Sequence, residues 1–309
     1  MRPGWTKMLA AGALSLAAMG FAPTPSRLPP IYIEDVQRFY KLYDSAHGHP
    51  TVAQLEQDYL IPGTDALHRF QKIRNVTAQR IFDENDKHPA VYTDARRCLA
   101  MLPKVKARTA VALDKLYRLY PEAKSAPITV LVGRGRPVGV TDETGVYIGL
   151  EALCAADFMN PSPEDRFVHV MAHEYGHVQQ SKALKDLNPG DPGATVLAIS
   201  LGEGAADFIG KLISGDVGNQ AVWNEAKGHE AAIEQAFVTD EDSTDLTHWL
   251  YNGDGTAQHP GDLGYWVGYR IVKAYWDHHA DKRQALKDII EMTDPKAFLA
   301  KSGWKPAGT

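Results

Sequence analysis

The chain has 309 residues, of which 44% are hydrophobic and 23% charged, and its formal net charge is -5 at pH 7. This balance excludes the disordered and fibrous classes and allows a substantial core, in one large domain or two small ones. Because there is no excess of basic charge to bind a phosphate backbone, we expect no nucleic-acid partner.

The amino terminus has the pattern of a targeting segment. Arg2 and Lys7 precede an apolar run, residues 8–22, which is followed by "PTPSRLPP". This order is typical of a cleaved secretory signal, here residues 1–22, and predicts export to the periplasm or the medium. The run is shorter than the ~20 residues that span a bilayer, so we expect no stable membrane anchor, a retained anchor being the alternative. The sequence makes no prediction of oligomeric state.

The region after the signal, residues 23–126, is predicted to be helical. Its first apolar side chains, in "IEDVQRFYKLY", follow the spacing of one helix face. Further helices are expected within 64–82 and over 93–120, the second broken or kinked at Pro103. This region resembles nothing that would indicate its role.

The chain has two cysteines, Cys98 and Cys154. In an exported protein they can form a disulfide, which closes a loop of roughly 55 residues and contributes about 4 kcal/mol. Two buried free thiols are the alternative, because the sequence does not give the distance between the Cα atoms.

Strand signals follow at residues 127–153. β-Branched residues at 128–132 and 146–148 flank a glycine-rich connection, "GRGRPVG", and predict a small antiparallel sheet. The glycines do not have the G-x-G-x-x-G spacing, so a hairpin loop is favoured over a phosphate cradle.

Helices dominate the rest of the chain. Ser162 as a cap and Pro163 in the first turn predict a helix over about 163–181, and a second helix over 194–214 should end at Gly215. Others are expected near 220–237, 262–279 and 282–292. The predicted class is α+β and predominantly helical, with residues 127–309 as a second region that forms one compact unit with the helical region.

The stretch "VHVMAHEYGHVQQ", residues 168–180, contains the most informative motif. On a helix His173 and His177 are one turn apart, so their imidazoles can bind one ion. Glu174 lies about 100° round the helix, where its carboxylate can take a proton from a metal-activated water. An ordinary core helix that contains histidines is the alternative.

A third ligand is needed, and the extended H-E-x-x-H-x-x-G-x-x-H pattern does not supply it, since Gln180 and Ala183 stand where it has glycine and histidine. On the next helix, "SLGEGAADFIGKLI" places Glu203 and Asp207 one turn apart among small and apolar residues. A metal cation bound by Glu203, and a metal-bound imidazole donating its free N–H to Asp207, would compensate both charges. Half-exposed acids on a surface helix are the alternative.

His-Glu-x-x-His followed by Glu-x-x-x-Asp resembles the gluzincins, the thermolysin-like zinc metallopeptidases. The stretches "HEYGHVQQ", "GEGAADFIG" and "GYWVGYRIVKAYW" are similar to a family of secreted or periplasmic predicted zinc-dependent proteases. The resemblance covers roughly residues 127–301. It implies a zincin-like fold with a sheet on the active-site helix, the three ligands His173, His177 and Glu203, Glu174 as general base, and Asp207 as the residue that orients a ligand.

The expected activity is hydrolysis of a peptide or protein substrate. Residues 145–151, "GVYIGLE", could pair with an extended substrate, although a plain internal strand is equally compatible. Tyr265 and Tyr269 share a helix face and are the candidates for stabilising the oxyanion, with a core role as the alternative. A zinc hydrolase of non-peptide substrates, a zinc-binding interaction protein and a structural protein with fortuitous motifs are the rival hypotheses.

Overall fold

The computed structural model describes Met1 and residues 28–307, apart from 255, 257 and 260. The predicted signal, Met1 aside, therefore lies outside the described residues. None of the helices in the described part combines the length and the apolar character needed to cross a membrane.

The secondary structure is mostly helical, with a small sheet. In chain order the elements are β1 (Ile31–Tyr32), α1 (Glu34–Ser45), α2 (Val52–Gln54) with a π-helical continuation (Leu55–Leu60), α3 (Asp65–Arg74), α4 (Ala78–Lys87), α5 (Ala90–Leu119), β2 (Ile128–Leu131), β3 (Gly139–Thr141), β4 (Val146–Gly149), α6 (Leu150–Ala155), α7 (Pro163–Gln179), α8 (Lys182–Lys185), α9 (Val196–Ser214), α10 (Gln220–Ala226), α11 (Glu230–Asp240), α12 (Leu263–His278), α13 (Lys282–Ile290) and α14 (Pro295–Ser302). The α+β class is therefore as predicted.

The sheet is mixed, with the order β1-β2-β4-β3, so the prediction of an antiparallel sheet is wrong. Strand β2 is parallel to both β1 and β4, and only β3 is antiparallel to its neighbour β4. The reason is that β3 lies between β2 and β4 in the chain. The chain reverses direction between β3 and β4, so these two strands are antiparallel, and β4 runs parallel to β2. Residues 146–149 are consequently an internal strand, and the two edge strands of the sheet are β1 and β3.

The amino-terminal helices share one hydrophobic core with the sheet and α7. Helix α5 runs through Pro103 without a break, because Leu102 and Val105 on either side of the proline are fully buried in this core. The Cys98–Cys154 disulfide joins α5 to α6, with the Cα atoms 6.0 Å apart. Of the two alternatives for these cysteines, the structure has the disulfide.

Helices α7 and α9 lie side by side and position the candidate site. Ser162 caps α7 and Gly215, with φ +107°, ends α9, both as predicted. The two helices are close because glycines face their partner's backbone: a Cβ at Gly176 would be 3.0 Å from Cα of Ala206, and one at Gly210 would be 3.1 Å from the nitrogen of His173.

The carboxy-terminal helices pack on the other side of α9 and form a second core. Helix α12 crosses α9 so closely that a Cβ at Gly204 would overlap the backbone of Gly268, at 2.2 Å. Gly204 therefore brings α12, and not α7, close to α9. The helix predicted near 220–237 is two helices, α10 and α11, separated by Gly228 at φ +85°.

Candidate metal centre and cleft

Three side chains from α7 and α9 converge at the boundary between the two cores. His173 Nε2 and His177 Nε2 are 3.1 Å apart, and Oε2 of Glu203 lies 3.5 Å from the first and 3.2 Å from the second. These are the candidate ligands that the sequence singles out, and the described part of the chain offers no other such cluster. All three side chains are largely shielded from solvent, with exposed fractions of 13–19%.

The other nitrogen of each imidazole is occupied as a donor. His173 Nδ1 donates to Oδ1 of Asp207 at 2.7 Å, which is the contact predicted for this aspartate. His177 Nδ1 donates to Oε1 of Gln180 at 2.9 Å, while the Gln180 amide nitrogen donates to the carbonyl of Gly202. In the neutral tautomer with the proton on Nδ1, each Nε2 presents a lone pair to the centre of the cluster.

These atoms fit a zinc ion. Two imidazole lone pairs and a carboxylate oxygen that face one another repel unless a cation lies between them. Tetrahedral ligands at the usual Zn–N and Zn–O distances are separated by about 3.3 Å, close to the 3.1–3.5 Å found here. Two histidines and one carboxylate leave a fourth position open, as catalytic zinc sites require.

The titration behaviour of the cluster also favours a positive charge. Burial lowers the pKa of His173, but the charge and hydrogen bond of Asp207, together with Glu203, raise it well above its ordinary value. Burial raises the pKa of Glu203, but His177 and His173 bring it well below its ordinary range. The metal-free cluster therefore attracts a proton, which a metal would displace.

Glu174 lies beside this cluster and against the edge strand β3. Its Oε2 is 2.8 Å from the hydroxyl of Thr141, which also lies 3.0 Å from the Glu174 backbone carbonyl. A Cβ at Gly139 would come within 2.6 Å of Oε1. A glycine in the strand thus leaves room for the carboxylate, and a threonine two residues on orients it.

The cluster opens into a cleft of about 790 Å³. One wall is β3 with the chain that follows it, and another is the end of α3, Ile73 and Arg74. The α8 segment and the first half of α9 line the remainder, together with Tyr251 and Tyr265. Among the described strands β3 pairs only with β4, so its other edge is unpaired, and all three of its residues line this cleft.

The two predicted tyrosines lie in different surroundings. The Tyr265 ring is nearly parallel to that of His173, with centroids 6.1 Å apart, and the residue lines the cleft. Tyr269 packs against Phe208 and Trp223 in the second core, at centroid distances of 5.9 and 5.4 Å. The structure therefore brings Tyr265 to the candidate centre and leaves Tyr269 in the core.

Tyr251 is a residue of the cleft that sequence reasoning missed. Its hydroxyl donates to Oε1 of Glu203 at 3.0 Å, although the side chain is mostly exposed. Its backbone has φ +58°, a conformation that costs free energy outside glycine, and its N–H donates to Oδ1 of Asp262 at 2.5 Å. No local pattern predicts this contact, because the chain brings the residue back over α9 from 48 positions downstream.

Comparison with known proteins gives one partial match. A family model described as gliding motility protein GldB matches residues 219–306. No curated protein and no solved structure matches the chain. The matched segment comprises α10–α14 with Tyr251 and Tyr265, and it begins after the α7 and α9 residues that form the candidate centre.

Proposed function

We propose that the chain is a zinc-dependent peptidase. The observation that carries the proposal is the convergence of three ligand atoms, from His173, His177 and Glu203, in a cleft that Glu174 also lines. Asp207 and Gln180 hold the two imidazoles in the tautomer that a metal ligand needs. When bound, zinc would supply a Lewis acid that activates water as a nucleophile at neutral pH.

The residues around the centre supply the proton transfers. Glu174 accepts a proton from the attacking water and delivers it to the leaving amine. The Thr141 hydroxyl keeps Oε2 of Glu174 in place, which reduces the reorganisation needed at each turnover. Tyr265 lines the cleft with its ring beside that of His173, and its hydroxyl is the candidate donor to the oxyanion.

An extended peptide is the substrate that the cleft fits best. An unpaired strand edge offers backbone N–H and C=O groups in register for another strand. Strand β3 presents such an edge next to Glu174, so a peptide that pairs with it lies with its backbone across the candidate centre. This assigns to residues 139–141 the role that the sequence suggested for 145–151.

We also propose that the chain is exported. The signal-like residues 1–22 favour this, and the Cys98–Cys154 disulfide is of the kind that persists in oxidising compartments. Both cysteines of the sequence are used in that bond, so neither is free to carry a lipid.

Cleavage of a peptide library tests the proposal. The expected result is cleavage that disappears with a chelator, returns with added zinc and is absent from Glu174→Gln that still contains metal. Zinc-dependent hydrolysis confined to non-peptide esters or amides would instead favour the hydrolase alternative. A Glu174→Gln protein as active as the wild type would refute the role of that residue.

The match to a gliding motility protein gives a second candidate, a role in gliding motility without proteolysis. The support for this candidate is the match over residues 219–306. Complementation of a deletion strain separates the two: a non-catalytic role predicts that Glu174→Gln restores the wild-type phenotype, and the peptidase predicts that it does not.

A further inference from the structure

Four arginines form a patch beside the cleft: Arg74, Arg80, Arg134 and Arg136. Arg74 ends α3, Arg80 is in the first turn of α4, and the other two belong to the loop between β2 and β3. The charges of Arg80, Arg136 and Arg74 all act on the guanidinium of Arg134. We refer to these four residues as the arginine patch.

The arginine patch lacks the carboxylates that neutralise arginines elsewhere. No ion pair joins any of the four to a carboxylate of the described residues, whereas Arg69 and Arg108 each contact two. Glu84 is the acid that acts on Arg134, and it offsets one of the four charges at most. The patch therefore carries an excess of positive charge on a chain whose net charge is -5.

Part of this charge has a structural role and part does not. Arg134 Nε and Nη2 both donate to the Arg74 carbonyl at 3.2 Å, which satisfies an acceptor at the end of α3. By contrast, Nε of Arg74 is buried and makes no hydrogen bond within the described part. Arg136 is exposed at the surface of its loop. The guanidinium groups of Arg74 and Arg136 thus have hydrogen-bond donors that the described part of the fold does not use.

The arginine patch lies at the beginning of the edge strand. Helix α3 contacts the chain after β3 through Arg69 and Asp142, and the chain before β3 through Arg74 and Arg134. Arg74 itself lines the cleft with β3 and Tyr251. A peptide paired with β3 that continues beyond the start of the strand would therefore run onto the patch.

We propose that the arginine patch binds acidic side chains of the substrate, so that the preferred substrates are polypeptides with an acidic stretch on one side of the cleaved bond. The inference rests on the proposed peptidase function for its substrate. Guanidinium groups pair with carboxylates through two parallel hydrogen bonds, and arginine suits such recognition better than lysine. A peptide is favoured over a membrane or a nucleic acid because Arg74 is inside the cleft and next to a strand edge.

Equilibrium binding to the zinc-loaded Glu174→Gln protein tests the proposal without turnover. Three labelled peptides share one central sequence: one has four Asp/Glu residues before it, one has them after it, and one has Asn/Gln at both flanks. We expect one acidic peptide to bind at least about tenfold more tightly than the amide peptide, with a preference that falls as salt rises. Equal affinity for all three would overturn the proposal.

Variants show whether the arginine patch causes the preference. Arg80→Gln/Arg136→Gln should remove most of the preference, with affinity for the amide peptide unchanged. Arg74→Gln should also reduce the preference, and because Arg74 lines the cleft its affinity for the amide peptide is measured alongside. Arg283→Gln is the matched control, an exposed arginine without an ion pair in the described part, and should retain the preference. Binding to anionic vesicles or to single-stranded DNA that exceeds peptide binding and is lost in the double variant would overturn an acidic peptide as the ligand.

The two proposals, a binding site for acidic side chains and a peptidase, can fail independently. A preference for an acidic flank without cleavage of any peptide would support the arginine patch as a binding site and contradict the peptidase. Cleavage with no flank preference would leave the peptidase standing and remove this inference.

Discussion

Gly139 and Glu174 are in contact across the base of the cleft, and any Cβ atom at position 139 would lie 2.6 Å from Oε1 of the glutamate. The obstructed atom is the end of a flexible side chain, so the fold can accommodate an alanine but the carboxylate must move. We expect Gly139→Ala to remain folded and zinc-bound with kcat lowered by about 100-fold, because small displacements of a reacting group have costs of that order.

Steady-state kinetics, zinc content and thermal unfolding of Gly139→Ala check this expectation. Gly193→Ala is the control, because a Cβ there meets only Leu187 at an ordinary 3.4 Å. If Gly139→Ala kept full kcat, Glu174 would not act from the position described here.

Gln180 should act on zinc affinity through His177. Replacing it with leucine removes the acceptor for His177 Nδ1 and the donor to Gly202. Loss of such a partner costs about 10–100-fold in metal affinity. We expect weakening of that order in Gln180→Leu, measured by competition with a chromogenic chelator. Gln180→Glu keeps an acceptor and should weaken zinc less; equal affinities in all three proteins would argue against the assignment.

Tyr265 and Tyr269 allow a matched comparison on one helix. Tyr265→Phe removes the hydroxyl from the ring that lies beside His173, and loss of one oxyanion donor lowers kcat by about 100-fold or more. Tyr269→Phe removes the same atom from a ring packed on Phe208 and Trp223. We expect a reduced kcat with zinc retained in the first variant and near-wild-type kcat in the second. The reverse order would place the donor elsewhere.

Glu151 should give the protein a pH-dependent stability. The side chain is fully buried, with Oε1 accepting from the N–H groups of Gly133 and Gly135 and Oε2 without a hydrogen bond in the described part. Burial raises its pKa from 4.5 to about 7, against the opposing effect of the backbone N–H groups. Its carboxyl group therefore occupies the glycine-rich loop that the sequence suggested as a hairpin.

Proton binding by Glu151 decides whether the stability of the fold rises or falls with pH. Between pH 4.5 and about 7 the folded state holds a proton on Glu151 that the unfolded chain has lost. The stabilisation is complete below pH 4.5 and is lost as pH rises through about 7, by about 3 kcal/mol in total. Urea unfolding at pH 5 and pH 8 should show most of this change in the wild type and not in Glu151→Gln. Parallel curves for the two proteins would contradict the raised pKa.

Local signals in the sequence account for the parts of the site that were predicted. The cap at Ser162, the helix end at Gly215 and the one-turn spacing of His173 and His177 depend only on neighbouring residues. Glu203 and Asp207 could be proposed because two acids on an otherwise apolar helix need partners. These signals place side chains on two helix faces, and the small residues between the helices allow the faces to meet.

The features of the site that the sequence did not predict depend on tertiary structure. Strand β3 has three residues, too few for an alternating pattern, and it exists because it pairs with β4. Gln180 differs from the extended zinc motif, and its role appears only when Gly202 is seen beside it. Tyr251 reaches Glu203 through a loop held by Asp262, which no spacing in the sequence indicates.

Zinc content of the purified protein and its Glu203→Ala variant, determined by elemental analysis, tests the central claim most directly. With Glu174→Gln as the control that keeps all three ligands, we expect about one zinc per chain in the wild type and in the control, and a large loss in Glu203→Ala. Negligible zinc in the wild type, or equal zinc in all three proteins, would contradict a metal centre built from His173, His177 and Glu203.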